Sequence, residues 1–140
     1  MRFTLHGDTA RGLAQALPVG LVSPEGQQAL EGNIRAAGST LRWISGVFGI
    51  SSEEAAEIAA QSKSDGVCLV PAFNGLGAPW WDSRALGLIS GLTLNTDKGA
   101  LFAAAVESIA HQVADVVDAM NASGVEVQRL LLDGGPSRNA

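Results

Sequence analysis

The chain has 140 residues, of which 46% are hydrophobic and 16% are charged, and its formal net charge is -5. This length fits one domain or part of a larger one, and this composition is typical of a chain that builds a hydrophobic core. The acidic balance and the scattered Lys and Arg residues argue against binding to nucleic acid or to an anionic membrane. We therefore expect no nucleic-acid partner and no membrane partner.

The single cysteine, Cys68, excludes an internal disulfide, and no CxxC motif or Cys/His cluster indicates zinc. Because Cys68 lies in the apolar run of residues 67–70, we expect a small buried hydrophobe rather than a nucleophile. No apolar stretch reaches the length of about 18 residues that would suggest a membrane span, and the start has no signal-peptide pattern. These features predict a cytoplasmic protein with a reduced cysteine.

The first 25 residues mix Gly, Pro and polar residues, which predicts loops and one short strand near the apolar residues 17–22. Residues 27–34 have the composition of a strand, although Gly32 weakens it. From Ala36 the apolar residues recur at spacings of three and four, which predicts a helix ending near Gly49.

A second helix is predicted to begin at Ser51 or Ser52, because Ser51 and Glu54 fit a capping box. The residues that follow are rich in Ala and Glu, which are good helix formers. The run of residues 67–70 is apolar on both faces and therefore predicts an interior strand. A glycine-rich loop follows it.

The second half contains one further strand, predicted over residues 87–92, and the longest helix, over about residues 97–122 with Thr96 as its N-cap. The apolar stripe of this helix predicts packing against a sheet through three residues, Ile109, Val113 and Val116. A last buried strand, residues 130–132, leads into a Gly-Gly turn. Strands that alternate with helices predict an α/β layered domain. Because the sequence stops at Ala140, where another helix is expected, we interpret the domain as incomplete.

The turn Asp133-Gly134-Gly135 follows the last strand directly. Glycines at the carboxyl end of a strand let a ligand approach the backbone, and open α/β sheets bind ligands at that edge. An ordinary tight turn explains the same residues equally well. The segment is not a Walker A loop, since the Lys-Ser/Thr ending is absent.

Several segments together resemble the FGGY family of carbohydrate kinases, in its glycerol kinase branch. They are, in family order and spacing, EGNI at 31–34, AGSTLRW at 37–43, PAFNGLGAPWWD at 71–82, GLISGLT at 87–93, AVESIA at 105–110 and DGG at 133–135. Glycerol kinases usually have Tyr in place of Trp80. The resemblance assigns residues 29–140 to a partial C-terminal domain and leaves residues 1–28 as an unplaced N-terminal segment.

The resemblance implies a ribonuclease-H-like domain of the actin-like ATPase superfamily, here incomplete. Such kinases transfer the γ-phosphoryl group of ATP, with Mg²⁺, to a hydroxyl of a polyol or sugar bound in a cleft between two domains. This segment would supply the adenine-nucleotide side of the cleft. Glycerol is the expected substrate because of the loop at residues 75–82, whereas xylulose and gluconate kinases tend to carry a Gly-Glu-Arg type of loop there.

The residues that match the nucleotide-binding positions of the family are Gly38, Arg42, Gly134, Gly135 and Asn139. Arg42 replaces the Gln of glycerol kinases, and an arginine can stack on a base or bind a phosphate. These positions predict that the helix start near Gly38 lies beside the Gly-Gly turn, at the carboxyl edge of the sheet.

The resemblance implies no catalytic residue and no metal ligand in this segment, since the family's phosphate loop, substrate-binding residues and catalytic Asp precede it. We therefore expect the isolated chain to be inactive. The alternative is a non-catalytic nucleotide-binding or structural module from a truncated kinase gene. A homo-oligomer is a further possibility that the sequence leaves open.

Other side chains that could carry chemistry are interpreted structurally. Trp80 and Trp81 could form a sugar-stacking platform, but packing that fixes the loop is the favoured interpretation. Asp82 and Arg84 are expected to pair within the loop or to cap it. His111 is predicted to be a partly buried polar residue of the long helix rather than a base. Glu107, on the same helix, is predicted to be structural, with a bond to nearby backbone or to a loop, rather than catalytic.

Overall fold

The computed structural model describes residues 2–6, 20–22, 28–122 and 130–133. The elements in chain order are β1 (Arg2–His6), β2 (Gly20–Val22), β3 (Gln28–Asn33), α1 (Gly38–Val47), α2 (Ser52–Ala60), β4 (Cys68–Val70), β5 (Leu88–Ser90), α3 (Lys98–Ala122) and β6 (Leu130–Asp133). Helices and strands therefore follow one another in the mixed order that the sequence predicts.

The strands form two sheets. The first has the order β2-β3-β1-β6, and each of its pairings is antiparallel. The second consists of β4 and β5, also antiparallel, with Val70 opposite Leu88. The prediction of loops and one short strand for the first 25 residues was wrong for β1. This strand has β3 on one side and β6 on the other, so its backbone is paired by segments distant in the sequence.

Two of the predicted helix boundaries are confirmed by their hydrogen bonds and backbone angles. The Ser51 hydroxyl accepts the N–H of Glu54 at 3.0 Å, as an N-cap of α2 does. Gly49, just beyond α1, has φ +69°, the left-handed conformation that commonly ends a helix. Local side-chain and glycine chemistry was therefore enough to place these boundaries.

The predicted N-cap of α3 was wrong by one residue. A carboxylate oxygen of Asp97 accepts the N–H of Ala100 at 2.8 Å, which makes Asp97 the capping side chain. The Thr96 hydroxyl instead accepts the N–H of Thr93 at 2.9 Å. The hydroxyl is used by the preceding turn, so the neighbouring carboxylate caps the helix.

The core lies where α3 packs on α1, α2 and β4. Its buried members are mostly small residues and a few large ones: Ile44, Ala55, Ala59, Val67, Leu69, Ala100, Phe102, Ala104 and Ala105. Along the rest of α3, Val116 is buried as predicted, whereas Ile109 and Val113 are half-buried. The described partners of α3 are thus two helices and one short strand, rather than a sheet alone.

The prediction of an interior strand at residues 67–70 was wrong. Val67 and Leu69 are buried, but Cys68 and Val70 are exposed. This alternation arises because β4 has the helices on one face only, so every second side chain points away from the core. Cys68 is therefore an exposed free thiol, not the buried residue that its apolar neighbours suggested.

One helix in the described part of the chain, α3, is long and apolar enough to cross a membrane by length and composition. Its buried residues include Phe102, Val116 and Met120, and it packs on α1 and α2. These contacts are those of a core helix, which passes the same test of length and composition.

Candidate functional site

The start of α1 presents backbone N–H groups without a side-chain cap. The N-cap residue is Ala37, whose methyl group cannot accept a hydrogen bond, and its backbone has φ -110° and ψ -90°. The helix begins at the half-buried Gly38, where the absence of a side chain leaves the N–H groups approachable. A helix start of this kind favours an anionic or polar ligand.

Arg42 lies four residues beyond Gly38, and residues at this spacing share one face of a helix. Its side chain is exposed and has no hydrogen-bond or ion-pair partner among the described residues. Of the five predicted nucleotide-side residues, the structure thus describes these two and places them one turn apart. Gly134, Gly135 and Asn139 lie outside the described residues.

The ends of β3 and β6 meet at one edge of the four-stranded sheet. Asn33, the last residue of β3, and Asp133, the last residue of β6, are both in register with Arg2 of the central strand β1. The two ends are therefore separated by two strand spacings, about 10 Å. In the sequence, α1 follows the end of β3 and the Gly-Gly turn follows the end of β6.

The glycine-rich loop (residues 71–82) lies beside the start of α1. The guanidinium of Arg35 donates to the carbonyl oxygen of Asn74 at 3.0 Å. The rings of Trp43 and Phe73 are in contact, with centroids 4.8 Å apart and an interplanar angle of 44°. The loop therefore contacts both the residues just before α1 and the helix beyond its first turn.

Gly75 lies where the beginning of the glycine-rich loop approaches the backbone at its end. Its φ is +75°, and a Cβ there would lie 2.7 Å from the carbonyl oxygen of Asp82 and 2.7 Å from the Cα of Ser83. That same Asp82 carbonyl oxygen accepts the N–H of Leu76 at 2.7 Å. Only glycine fits such a close approach of two backbone segments without rearrangement.

The predicted role of Asp82 within the loop is confirmed in its capping form. One of its carboxylate oxygens accepts the backbone N–H of Arg84 at 2.8 Å. The side chain thus caps the turn that leaves the loop, as an Asx turn does. Its bond is to the backbone of Arg84 rather than to the guanidinium.

The loop is tied to α3 through Trp80. Its ring is 62% exposed, and its indole N–H donates to a carboxylate oxygen of Asp115 at 3.2 Å. The favoured interpretation was that packing of the tryptophans fixes the loop, but Trp80 acts through a hydrogen bond rather than through burial. Trp81 is 40% exposed and has φ +49°, so its backbone takes part in the turn.

The prediction of a partly buried His111 was wrong, and the bond predicted for Glu107 is not seen among the described residues. His111 and Glu107 are both exposed, and Glu107 has no hydrogen-bond partner in the part of the chain that the structure describes. Both residues lie on the solvent side of a helix whose opposite side packs on α1 and α2. The position of Glu107 within a family signature did not distinguish a core-facing from a solvent-facing side chain.

Within the described ranges, no group of three or more His, Cys, Asp or Glu residues could hold a metal ion.

Several contacts around the start of α1 were not predicted from the sequence, in particular those of Arg35, Thr40 and Gln112. A signal for Gln112 was available, because it is a polar residue within the apolar stripe of α3, and such residues need a hydrogen-bond partner.

The sequence profile of the C-terminal domain of the FGGY family of carbohydrate kinases matches residues 8–140. The chain therefore belongs to the FGGY family of carbohydrate kinases. Its boundary between an N-terminal segment and the domain, placed at residues 28 and 29, stays a prediction.

Among its relatives, the glycerol kinase of Rhodopirellula baltica is 49% identical over 117 residues, which is 81% of this chain and 22% of that protein. A glycerol kinase of Streptococcus agalactiae is 47% identical over 115 residues, 79% of this chain and 23% of that protein. The chain thus spans less than a quarter of the length of these curated relatives.

Solved structures show the same fold. The xylulose kinase of Bifidobacterium adolescentis matches with a TM-score of 0.74 at 27% identity, over 85% of this chain and 24% of that one. The Plasmodium falciparum glycerol kinase with ADP matches with a TM-score of 0.65 at 38% identity, over 72% of this chain and 21% of that one. The fold is therefore the ribonuclease-H-like fold of the actin-like ATPases, present as a partial domain.

Proposed function

We propose that this chain is the nucleotide-side segment of an ATP-dependent kinase, which transfers the γ-phosphoryl group of ATP to a hydroxyl of glycerol or of a related polyol or sugar. The observation that carries the proposal is the identity of 47–49% with glycerol kinases over about four fifths of the chain. Glycerol is preferred over other acceptors because these relatives are glycerol kinases and because the loop at residues 75–82 resembles that of glycerol kinases, apart from Trp80.

The proposed nucleotide subsite consists of Gly38 and Arg42 with Gly134, Gly135 and Asn139. Its support from the structure is the uncapped start of α1 and the common sheet edge of Asn33 and Asp133. Two glycines allow the close approach of an adenosine, and the Asn amide offers both a donor and an acceptor. Arg42 would add a cation that stacks on the base or binds a phosphate.

ATP supplies the transferred phosphoryl group, and Mg²⁺ would neutralise the charge that develops on it. The N–H groups at the start of α1, which has no side-chain cap, fit a nucleotide, since such groups donate to oxygen atoms and the helix dipole favours negative charge there. Residues of this chain would therefore bind and orient the nucleotide. A cytoplasmic location and a homo-oligomeric state stay predictions of the sequence.

Nucleotide binding can be tested on the 140-residue chain by titration calorimetry with ADP. We expect the wild-type chain to bind ADP. We expect Gly135→Val to weaken this binding sharply, because the valine side chain would fill the space for the adenosine. The matched control is Gly46→Val, since a Cβ at Gly46 meets nothing within 4 Å. Equal ADP affinities for Gly135→Val, Gly46→Val and the wild type would leave the Gly-Gly turn as an ordinary structural one.

Catalysis is tested separately, by ADP production with glycerol and a panel of sugars. We expect no turnover by the chain alone, because it spans less than a quarter of the length of its relatives. Turnover near the usual range of about 1–10³ s⁻¹ would contradict this expectation. The kinase and the non-catalytic module are distinguished by the coding sequence upstream, where an Asp-x-Gly-Thr loop and a Gly-Asp-Gln segment support the kinase.

A further inference from the structure

One backbone carbonyl at the start of α1 accepts two side-chain hydrogen bonds. The carbonyl oxygen of Ala36 is 3.1 Å from the hydroxyl of Thr40 and 3.1 Å from the side-chain nitrogen of Gln112. Ala36 and Thr40 are buried, and Gln112 is half-buried. Because Ala36 and Thr40 are buried, a lost hydrogen bond to the Ala36 carbonyl would not be replaced by a bond to water.

The bond from Gln112 joins parts of the chain that are 76 residues apart. The same amide nitrogen donates to the carbonyl oxygen of Ser108 at 3.2 Å, one turn earlier in α3. Since the amide has two N–H donors, both are used, one within α3 and one across to Ala36. Gln112 therefore links the core helix directly to the segment that precedes α1.

The Thr40 bond alone would be an ordinary bond from a hydroxyl to the carbonyl four residues earlier, which many helices contain. Two further facts distinguish this position. Ala36 comes immediately before the N-cap Ala37, so the plane of its peptide sets the direction in which α1 begins. The cap has no side-chain hydrogen bond of its own, so the orientation depends on contacts with other residues.

The neighbouring residue is held from the other side. Arg35 donates to the carbonyl oxygen of Asn74 in the glycine-rich loop. The two residues before the N-cap are thus held by α3 and by that loop, while Ala37 itself makes no side-chain hydrogen bond to the first N–H groups of α1. This arrangement preorganises the groups that a ligand would contact, and preorganisation strengthens binding by reducing the entropy lost on binding.

We propose that Thr40 and Gln112 are positioning residues for the nucleotide: together they hold the Ala36 carbonyl and so orient the N–H groups at the start of α1. The inference rests on the proposed nucleotide subsite, but neither residue is itself a part of that subsite. Both act through the backbone at Ala36 and Ala37. Each should influence nucleotide affinity without touching the nucleotide.

The test compares matched substitutions in the 140-residue chain. Thr40→Val removes the hydroxyl and keeps the shape, Thr40→Ser restores the hydroxyl, and Gln112→Leu removes the long-range donor. The control is Ser62→Ala, because the Ser62 hydroxyl makes the same kind of bond, to the carbonyl oxygen of Ile58 at 2.8 Å, at the end of α2. ADP affinity is measured by calorimetry at a temperature at which every variant is fully folded.

We expect Thr40→Val and Gln112→Leu each to weaken ADP binding by about three- to tenfold, the effect of one net hydrogen bond. Thr40→Ser should recover most of the affinity, and Ser62→Ala should bind ADP as the wild type does. Hydrogen exchange at residues 37–41 should be faster in the first two variants and unchanged in the other two. A purely structural role of Thr40 and Gln112 would lower the thermal stability of Thr40→Val and Gln112→Leu but leave their ADP affinity unchanged.

Two failures are distinguishable. If the folded wild type does not bind ADP, the proposed function is contradicted, and the positioning role falls with it even where exchange at residues 37–41 responds. If the wild type binds ADP and Thr40→Val binds it equally well, the proposed function stands and the positioning inference is overturned. Loss of affinity in Ser62→Ala equal to that in Thr40→Val would overturn it as well.

Discussion

The inner and outer sides of this domain use hydrophobic residues in opposite ways. Where α3 meets α1 and α2, most of the buried residues are alanines, with Phe102 as the largest completely buried side chain. Around β5, four large residues are exposed instead: Leu86, Leu88, Leu92 and Leu94. The size of an apolar residue therefore does not predict its burial in this chain.

The difference follows from how much of each element is covered by other parts of the chain. Helices that lie close together leave room for methyl groups and for a few large side chains that fill the remaining gaps. The two-stranded sheet of β4 and β5 is covered on one face only, so the leucines around it stay exposed to water. Exposed apolar residues in such a patch commonly mark contacts with further protein surface.

The largest effect is expected for Phe102→Ala in the inner side. Phe102 is completely buried and its ring meets the edge of Phe48 at a centroid distance of 5.1 Å. Its removal should lower the free energy of unfolding by about 3–5 kcal/mol, as measured by urea denaturation. A loss below about 1 kcal/mol would show that the core is not packed as described.

A smaller loss is expected where the outer hairpin touches the backbone of the turn before β4. Gly91 has φ +77°, and a Cβ there would collide with the carbonyl oxygen of Gly66. Gly91→Ala should therefore cost about 1–3 kcal/mol of stability through backbone strain. Gly46→Ala is the matched control in open space within α1, and it should raise stability by about 0.5–1 kcal/mol. Similar losses in both variants would contradict the close approach at Gly91.

The cap of α3 gives an intermediate test of how the core helix begins. Asp97→Ala removes the acceptor for the N–H of Ala100 and should cost about 0.5–2 kcal/mol in thermal or urea unfolding. Asp97→Asn keeps an acceptor oxygen and should lose much less. If Thr96→Ala were the more damaging substitution, the sequence-based choice of Thr96 as N-cap would be correct after all.

The smallest effect on stability is expected for the outer leucines. Leu86→Ser and Leu94→Ser should change the free energy of unfolding by no more than about 0.5 kcal/mol, because both side chains are already in water. We expect self-association of the chain, measured by sedimentation velocity, to decrease in the double variant. Unchanged association would exclude these leucines as the contact, and a large loss of stability would show that they are packed.

The candidate site could be predicted from the sequence only in part. The motif resemblance indicated Gly38 and Arg42, and the structure places them at the start of α1 and one turn further on. The contacts of Arg35, Thr40 and Gln112 with neighbouring backbone were missed, because each partner is a carbonyl group that any residue could supply. For Gly134, Gly135 and Asn139 the assignment stays a prediction.

The sequence by itself determined the features that depend on a few neighbouring residues. Hydrophobic periodicity predicted α1 and α3, and the hydroxyl of Ser51 and the positive φ of Gly49 mark helix ends that the residue types alone indicated. Only the tertiary structure decided that β1 pairs between β3 and β6, that Cys68 is exposed, and that Gln112 reaches Ala36. The physical reason is range: caps and turns are set by bonds within about one turn of the chain, whereas burial and strand pairing depend on which distant surface is adjacent.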